Sequence, residues 1–95
     1  MNAKRFLSVW DAIEDSAIED ASMRLRAEIA NEVIARLRAR KLTQAKAAEL
    51  LGVTQPRISD LARGRLDLFS LDSLVDMADR AGLQTRVVVR PKRAA

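Results

Sequence analysis

Apolar residues recur every three or four positions through the first half of the chain. The residues that follow this spacing are Ile18, Ala21, Leu25, Ile29, Val33 and Leu37. Such a period places them on one face of an α-helix. Ser16 precedes the stripe, and Glu19 follows Ser16 by three residues, as in a capping box at a helix N-terminus. The pattern predicts a long helix over about residues 17–41.

Residues 43–64 predict two short helices joined by a tight turn. Thr43 and Thr54 are suited to cap helices over residues 44–51 and 55–63. Gly52 lies between them and can adopt the left-handed backbone conformation that a sharp turn needs. The apolar positions of this segment are Ala47, Leu51, Val53, Ile58 and Leu61. This combination is typical of a helix-turn-helix, whose second helix enters the major groove of DNA.

The third part of the chain predicts one further helix. Ser70 is a suitable N-cap for residues 71–81, and Gly82 is a suitable end. The apolar stripe of this helix consists of Leu71, Leu74, Val75 and Ala78. The preceding loop contains Leu66, Leu68 and Phe69, which we expect to fold back onto the core. A short helical turn, capped by Ser8, is predicted near residues 9–13.

The period changes after Gly82. Residues 83–90 are rich in β-branched side chains, including Val87, Val88 and Val89, and predict a β-strand that ends at Pro91. A single strand in a helical chain has no partner for its backbone groups. We therefore expect it to pair with the same strand of a second copy across a two-fold axis. Packing against the N-terminal arm is the alternative.

Composition favours one small helical domain and argues against catalysis. The chain has 95 residues, 48% of them hydrophobic, and contains no Cys and no His. It thus lacks the commonest nucleophile, general base and transition-metal ligands, so we expect neither an enzyme nor a metal or cofactor site. No apolar run approaches the roughly 20 residues of a membrane span, and no signal peptide is recognisable. A cytoplasmic protein is expected.

The net charge of +4 is unevenly distributed. Residues 11–20 carry five acids and no base, so this segment is expected to face solvent or a basic protein rather than phosphate. Trp10, the only Trp, either anchors the N-terminal arm or contacts a partner. The basic group Arg38, Arg40 and Lys41 either complements the negative end of the first helix or contacts phosphate.

Counted from Gln44, the motif has Ala48 at its fifth position and Gly52 at its ninth, with apolar residues at the expected places. It resembles the lambda-repressor-like (Cro/C1, XRE-type) helix-turn-helix family. The resemblance implies a mainly α protein with a five-helix DNA-binding domain, to which the sequence adds an N-terminal helical arm and one C-terminal β-strand that pairs across a dimer. The expected divisions are an arm at residues 1–15, the domain at 16–82, and a dimerisation strand with a basic tail at 83–95.

The second helix of the motif carries the candidate DNA-reading residues. Gln55 matches the family's first recognition-helix residue, and Gln can pair with adenine and Arg with guanine. The candidates for base contact are Gln55, Arg57, Ser59 and Asp60. The candidates for phosphate contact are Gln44, Thr54, Arg63 and Arg65. Asp60 either accepts from cytosine or pairs with Arg57 or Arg63, and Arg63 and Arg65 could instead belong to a solvated loop. Pro56 departs from the usual polar residue and removes one base contact.

The ends of the chain narrow the resemblance to HigA-type antitoxins and related short regulators. Such proteins neutralise a RelE/HigB-like ribonuclease toxin and repress their own operon, commonly as dimers on a palindromic site in double-stranded DNA. The resemblance thus implies a repressor and homodimer, with toxin binding at residues 5–25, including Trp10, Asp11 and Glu14. A stand-alone regulator without a toxin, or a protein that primarily sequesters a toxin, are the alternatives.

Overall fold

Four α-helices and one turn of 3-10 helix form the described part of the chain. The computed structural model describes residues 3–93, with side chains described for residues 18–93. The elements are α1 (Ala3–Ala39), α2 (Gln44–Leu51), α3 (Gln55–Ala62), the 3-10 turn (Leu66–Leu68) and α4 (Leu71–Arg80). None of these helices combines the length and apolar composition that crossing a membrane requires.

Helix α1 begins earlier than the sequence pattern predicts. Ser16 lies inside this 37-residue helix, so its prediction as an N-cap was wrong. Residues 3–17 contain no Gly or Pro, and nothing in them interrupts a helix that has already formed. The short turn predicted near residues 9–13 is part of α1, and the described residues therefore contain four α-helices rather than five. From Ala3 onward, the predicted N-terminal arm belongs to the same helix as the domain.

Each helix ends in the same hydrogen-bonded arrangement. After α2, the amide of Gly52 donates to the carbonyl of Glu49 and that of Val53 donates to Ala48, as in a Schellman motif. The same pair of bonds closes α1, α3 and α4, where the residue with positive φ is Lys41, Gly64 and Gly82 respectively. Lys41, with φ of 54°, is the one non-glycine residue with positive φ in the described part of the chain.

The core lies where α1 and α4 pack around the helix-turn-helix. Phe69, Leu51, Leu61, Leu74, Met77 and Val33 are its largest fully buried side chains. Three apolar positions of the predicted stripes are exposed instead of buried: Ile18 (56%), Ala21 and Val75 (37%). Leu68, which was expected to fold onto the core, is 44% exposed, so that expectation was wrong. Ile18 lies on the part of α1 that precedes Ala30, the first fully buried residue among those whose side chains are described. On α4 the buried face includes Met77 instead of Val75.

The segment after α4 has no regular secondary structure in this chain. Residues 83–93 contain no strand, so the predicted C-terminal strand is not confirmed. The last hydrogen bond that fixes this segment is donated by the amide of Leu83 to the carbonyl of Ala78. A strand needs a neighbouring edge for its backbone groups, and the described part of this chain offers none.

Candidate nucleic-acid interface

Helices α2 and α3 form a helix-turn-helix around a buried apolar seam. Ala47, Ala48 and Leu51 of α2 are buried, as are Ile58 and Leu61 of α3. Small residues at Ala47 and Ala48 permit the close approach of the two helices. The turn contains only three residues, 52–54. The motif predicted from residues 43–64 is therefore present, with α3 held in a fixed orientation on α2.

The turn is covered by α4. At Gly52 the backbone has φ of 68°, and a Cβ atom there would lie 2.8 Å from Nη1 of Arg80. Arg80 donates through Nε to Oδ2 of Asp76 at 2.9 Å, which holds its guanidinium in place along α4. A side chain at position 52 would thus meet both left-handed backbone strain and the guanidinium of Arg80.

The N-terminus of α3 presents polar groups to solvent. Gln55, the first residue of α3, is exposed, as is Pro56 in the first turn. Thr54 occupies the N-cap position, but its side chain makes no capping hydrogen bond. By contrast, the hydroxyl oxygens of Thr43 and Ser70 accept from the amides of Lys46 and Ser73 at 3.2 and 3.1 Å. Pro56 has no N–H, and the N–H groups of Arg57 and Ile58 donate to the carbonyl oxygen of Thr54, so the Thr54 hydroxyl and the backbone N–H of Gln55 are the groups available to an external ligand.

Arg57 is engaged within the molecule. Its Nη1 donates to the carbonyl oxygen of Leu68 at 3.0 Å, and its guanidinium carbon lies 4.0 Å from the centroid of the Phe69 ring. Phe69 is only 1% exposed. The side chain of Arg57, half-buried, links the first turn of α3 to the 3-10 turn. Sequence periodicity gave no sign of this contact, because the partners lie eleven and twelve residues away in a loop.

Farther along α3, Asp60 forms the ion pair that the sequence left open. Nη2 of Arg63 donates to Oδ1 of Asp60 at 3.4 Å. The side chain of Asp60 is 21% exposed, whereas that of Arg63 is 61% exposed, so such a pair contributes little to stability. Ser59 is half-buried beside it, and Arg65 is exposed in the loop after α3.

The N-terminus of α2 lies beside α3. Gln44 and Thr43 line a shallow, mainly apolar cleft of about 120 Å³, together with Arg38 of α1 and Ala62 of α3. Gln44 itself is exposed. Among the described residues, no group of three or more carboxylates is placed to hold a metal ion. The arrangement thus offers donors and positive charge suited to a phosphate backbone rather than an enclosed ligand site.

The structure brings some predicted residues together and leaves others apart. The predicted phosphate contacts belong to the helix-turn-helix and the loop after it, and all four are exposed: Gln44, Thr54, Arg63 and Arg65. Val87, Val88 and Val89 belong instead to the segment after α4. Trp10, Asp11 and Glu14 lie on α1, but their side chains are outside the described residues.

Comparisons with known proteins agree with this geometry. A family model described as a helix-turn-helix domain matches residues 12–90. A solved structure of a protein named as a candidate XRE family transcriptional regulator is 30% identical, with a TM-score of 0.72, and the similarity covers 80% of this chain and 90% of that chain. The search of curated proteins gave no match. The family match includes all of α2, α3 and α4.

Proposed function

Because the chain belongs to the helix-turn-helix domain family and has the fold of an XRE-type regulator, we propose that it is a sequence-specific DNA-binding repressor that acts as a homodimer. The observation that carries this proposal is the exposed N-terminus of α3, with the hydroxyl of Thr54 unused in capping. A helix start with a positive dipole end, a free hydroxyl and the unpaired N–H of Gln55 is suited to the edge of a DNA groove.

Gln55 is the principal base-reading residue in this proposal. Its amide can pair with both N6 and N7 of adenine, and its position at the start of α3 gives it the reach to do so. Ser59 and Asp60 are secondary base contacts. To contact a base, Asp60 would break its ion pair with Arg63 and accept a hydrogen bond from N4 of cytosine. Gln44, Thr54, Arg63 and Arg65 contact phosphates. Since its guanidinium is held by Leu68 and Phe69, Arg57 orients α3 and leaves base reading mainly to Gln55.

Repression follows from occupancy of an operator that overlaps a promoter. In a symmetric dimer, two copies of α3 separated by about 34 Å would contact successive major grooves on one side of the duplex. The operator would therefore be a palindrome with half-sites one helical turn apart. This dimeric arrangement is part of the proposal and requires a contact between copies outside the helix-turn-helix.

The first experiment measures how Gln55 contributes to discrimination. Selection from random duplexes supplies the preferred operator, and fluorescence anisotropy compares that operator with a duplex changed at one base pair. We expect Gln55→Ala to reduce the preference by about 1–3 kcal/mol at the position it reads. Gln84→Ala is the matched control, because Gln84 is an exposed glutamine outside the motif. If Gln55→Ala keeps the wild-type preference between the two duplexes, Gln55 does not read that base pair.

We further propose that the repressor is the antitoxin of a type II pair, and that its partner is a basic, RelE/HigB-like ribonuclease. Support comes from the resemblance of the chain's ends to HigA-type antitoxins and from the charge of residues 11–20, which carry five acids and no base. These residues lie on α1, N-terminal to Ala30. A stand-alone regulator and a protein that mainly sequesters a toxin are the competing functions.

Titration calorimetry with the protein encoded beside this gene tests the antitoxin role. We expect binding that weakens in Trp10→Ala and in Glu14→Arg, while Gln55→Ala binds normally. If wild type fails to bind the neighbour but recognises its operator, the chain is a stand-alone regulator. If the neighbour binds and no operator is found, sequestration is the main function.

A further inference from the structure

The segment after α4 exposes an apolar run without backbone partners. Val87, Val88 and Val89 are 53%, 64% and 89% exposed. No backbone hydrogen bond joins residues 84–93 to any other described residue. Extended, β-branched chain with unpaired amides and carbonyls is a template for pairing with another strand. Such a run in an otherwise well-packed domain indicates a contact that a single copy does not complete.

The start of this segment is fixed on the domain. Leu83, Gln84 and Thr85 line grooves against both α4 and α1. Leu83 and Thr85 are half-buried, whereas Gln84 and Arg86 are exposed. This alternation is that of a pleated strand with one face on the protein body. The direction of the segment is therefore set before the valines begin.

We propose that the same segment of a second copy pairs with it in antiparallel orientation, with the two-fold axis passing through Val87. The inference rests on the homodimer of the proposed function and specifies its interface. In this register, the numbers of two directly opposed residues, one from each copy, add up to 174. Val87 then faces its own counterpart, Val89 faces Thr85, and Arg90 faces Gln84. Val87 and Val89 lie on the same face as the half-buried Thr85, because side chains two residues apart in a strand share a face.

Repulsion between like charges favours this register over registers with the axis through Val88 or Val89. An axis through Val88 would set Arg86 against Arg90 twice in the dimer. An axis through Val89 would set Arg86 against Lys92 twice. Like charges directly opposite each other destabilise a strand pair. The axis through Val87 places Arg86 against Val88 and keeps all four cations of the segment apart.

The same register carries the basic end of each copy towards an acidic groove of the other. Residues 86–93 contain Arg86, Arg90, Lys92 and Arg93 and no acid. Asp72, Asp76 and Asp79 of α4 line the groove that also contains Leu83, Gln84 and Thr85. Asp76 is paired with Arg80, which leaves Asp72 and Asp79 for the cations of the other copy. Since Pro91 of one copy faces Leu83 of the other, Arg93 passes the end of α4 near Asp79. Apolar pairing at the centre is thus flanked by opposite charges on both sides.

Disulfide cross-linking tests the register directly, since the chain has no cysteine of its own. Directly opposed residues of an antiparallel pair have Cβ atoms about 4.5–5.5 Å apart, whereas diagonal neighbours are about 7–8 Å apart. We expect Val87→Cys to form a covalent dimer on mild oxidation, seen on a non-reducing gel. Val88→Cys, equally accessible, should cross-link at least tenfold more slowly. Equal rates for the two variants, or faster reaction of Val88→Cys, would overturn the register.

A charge exchange tests the contact with α4. By sedimentation equilibrium, Asp79→Arg and Arg93→Asp should each weaken the dimer by about fivefold, the upper range for exposed pairs. The double variant should recover most of the wild-type dimer affinity. If the double variant does not recover the dimer affinity, the proposed contact between Asp79 and Arg93 is wrong. If the wild-type protein is a monomer, the proposed interface as a whole is wrong.

These measurements need no DNA, so their failure is distinct from failure of the proposed function. A protein that binds its operator but does not cross-link through Val87 contradicts the interface alone. A protein that cross-links as expected but prefers no DNA sequence contradicts the repressor alone.

Discussion

Lys41 occupies a backbone conformation that side chains other than glycine rarely adopt. Its φ of 54° places it in the left-handed region, at the position that Gly52, Gly64 and Gly82 fill after the other helices. For an L-residue this conformation costs roughly 1–2 kcal/mol. Lys41 retains the hydrogen bond from its amide to the carbonyl of Arg38 at 2.9 Å, so the cost arises from the Cβ atom rather than from a lost bond.

We predict that Lys41→Gly raises the free energy of unfolding by about 1 kcal/mol, because glycine removes the strain. Arg40→Gly is the matched control: it removes the same charge one residue earlier, where φ is not positive, and should lower stability by about 0.5–1 kcal/mol. Urea denaturation followed by circular dichroism measures both. A loss of stability in Lys41→Gly would show that the left-handed conformation costs nothing here.

At the scale of single residues, sequence chemistry identified some local roles and missed others. Thr43 and Ser70 accept capping hydrogen bonds as predicted, and Gly52 makes the turn, whereas Thr54 makes no capping bond and Ser8 and Ser16 lie inside α1. These roles depend on neighbours within four residues, which the sequence displays directly. The contact of Arg57 with Phe69 was not predicted, because it depends on how a loop folds back across α3.

At the scale of elements, the link between α3 and the 3-10 turn fixes the recognition helix. Arg57 supplies both a hydrogen bond to Leu68 and a cation–π contact with Phe69. Since Phe69 is buried among core residues, movement of α3 would pull on the core. This coupling gives α3 a defined angle before DNA is met, which reduces the entropy lost on binding.

We predict that Arg57→Lys lowers stability by about 1 kcal/mol, because an ammonium keeps the charge but loses the planar contact with the ring and the hydrogen-bond geometry. Affinity should fall by a similar factor for the operator and for unrelated DNA, so their ratio is retained. Parallel anisotropy titrations on the two duplexes measure this. If the ratio of operator affinity to affinity for unrelated DNA falls strongly instead, Arg57 contacts bases directly.

Helix bounds followed the sequence closely where capping residues and breakers agree. Helix α2 was predicted at residues 44–51 and is found at Gln44–Leu51. Helices α3 and α4 each end one residue earlier than predicted. The start of α1 was missed because a residue able to cap a helix is also tolerated inside one when good helix formers surround it.

At the scale of the whole molecule, charges of both signs are interspersed. Exposed cations around the helix-turn-helix include Arg38, Lys46 and Arg65, but the acids Glu49 and Asp67 are exposed there as well. Exposed carboxylates lie along α4 and on the middle of α1, and the exposed cations Arg36 and Arg80 lie on the same two helices. The net charge therefore favours a polyanionic partner, but charge does not single out one side of the molecule.

The end of the chain marks the limit of what one sequence predicts. The valines after Gly82 favour a strand, but strand formation depends on a partner that local propensity does not supply. The core, by contrast, needs only this chain, because Ala30, Leu51, Phe69 and Ala78 meet within it. Fold and helix-turn-helix were thus accessible from local patterns, whereas assembly depends on contacts between molecules.

The exposed valines have a consequence for how the protein would respond to its own abundance. Because the core closes within one chain, separated copies of the proposed dimer would remain folded. Below the dissociation constant of the dimer, the population of dimers would rise with the square of the protein concentration, by mass action. Operator occupancy would then switch on over a narrower range of expression than a monomeric repressor allows. The strength of pairing through the three valines would therefore set the protein concentration at which repression begins.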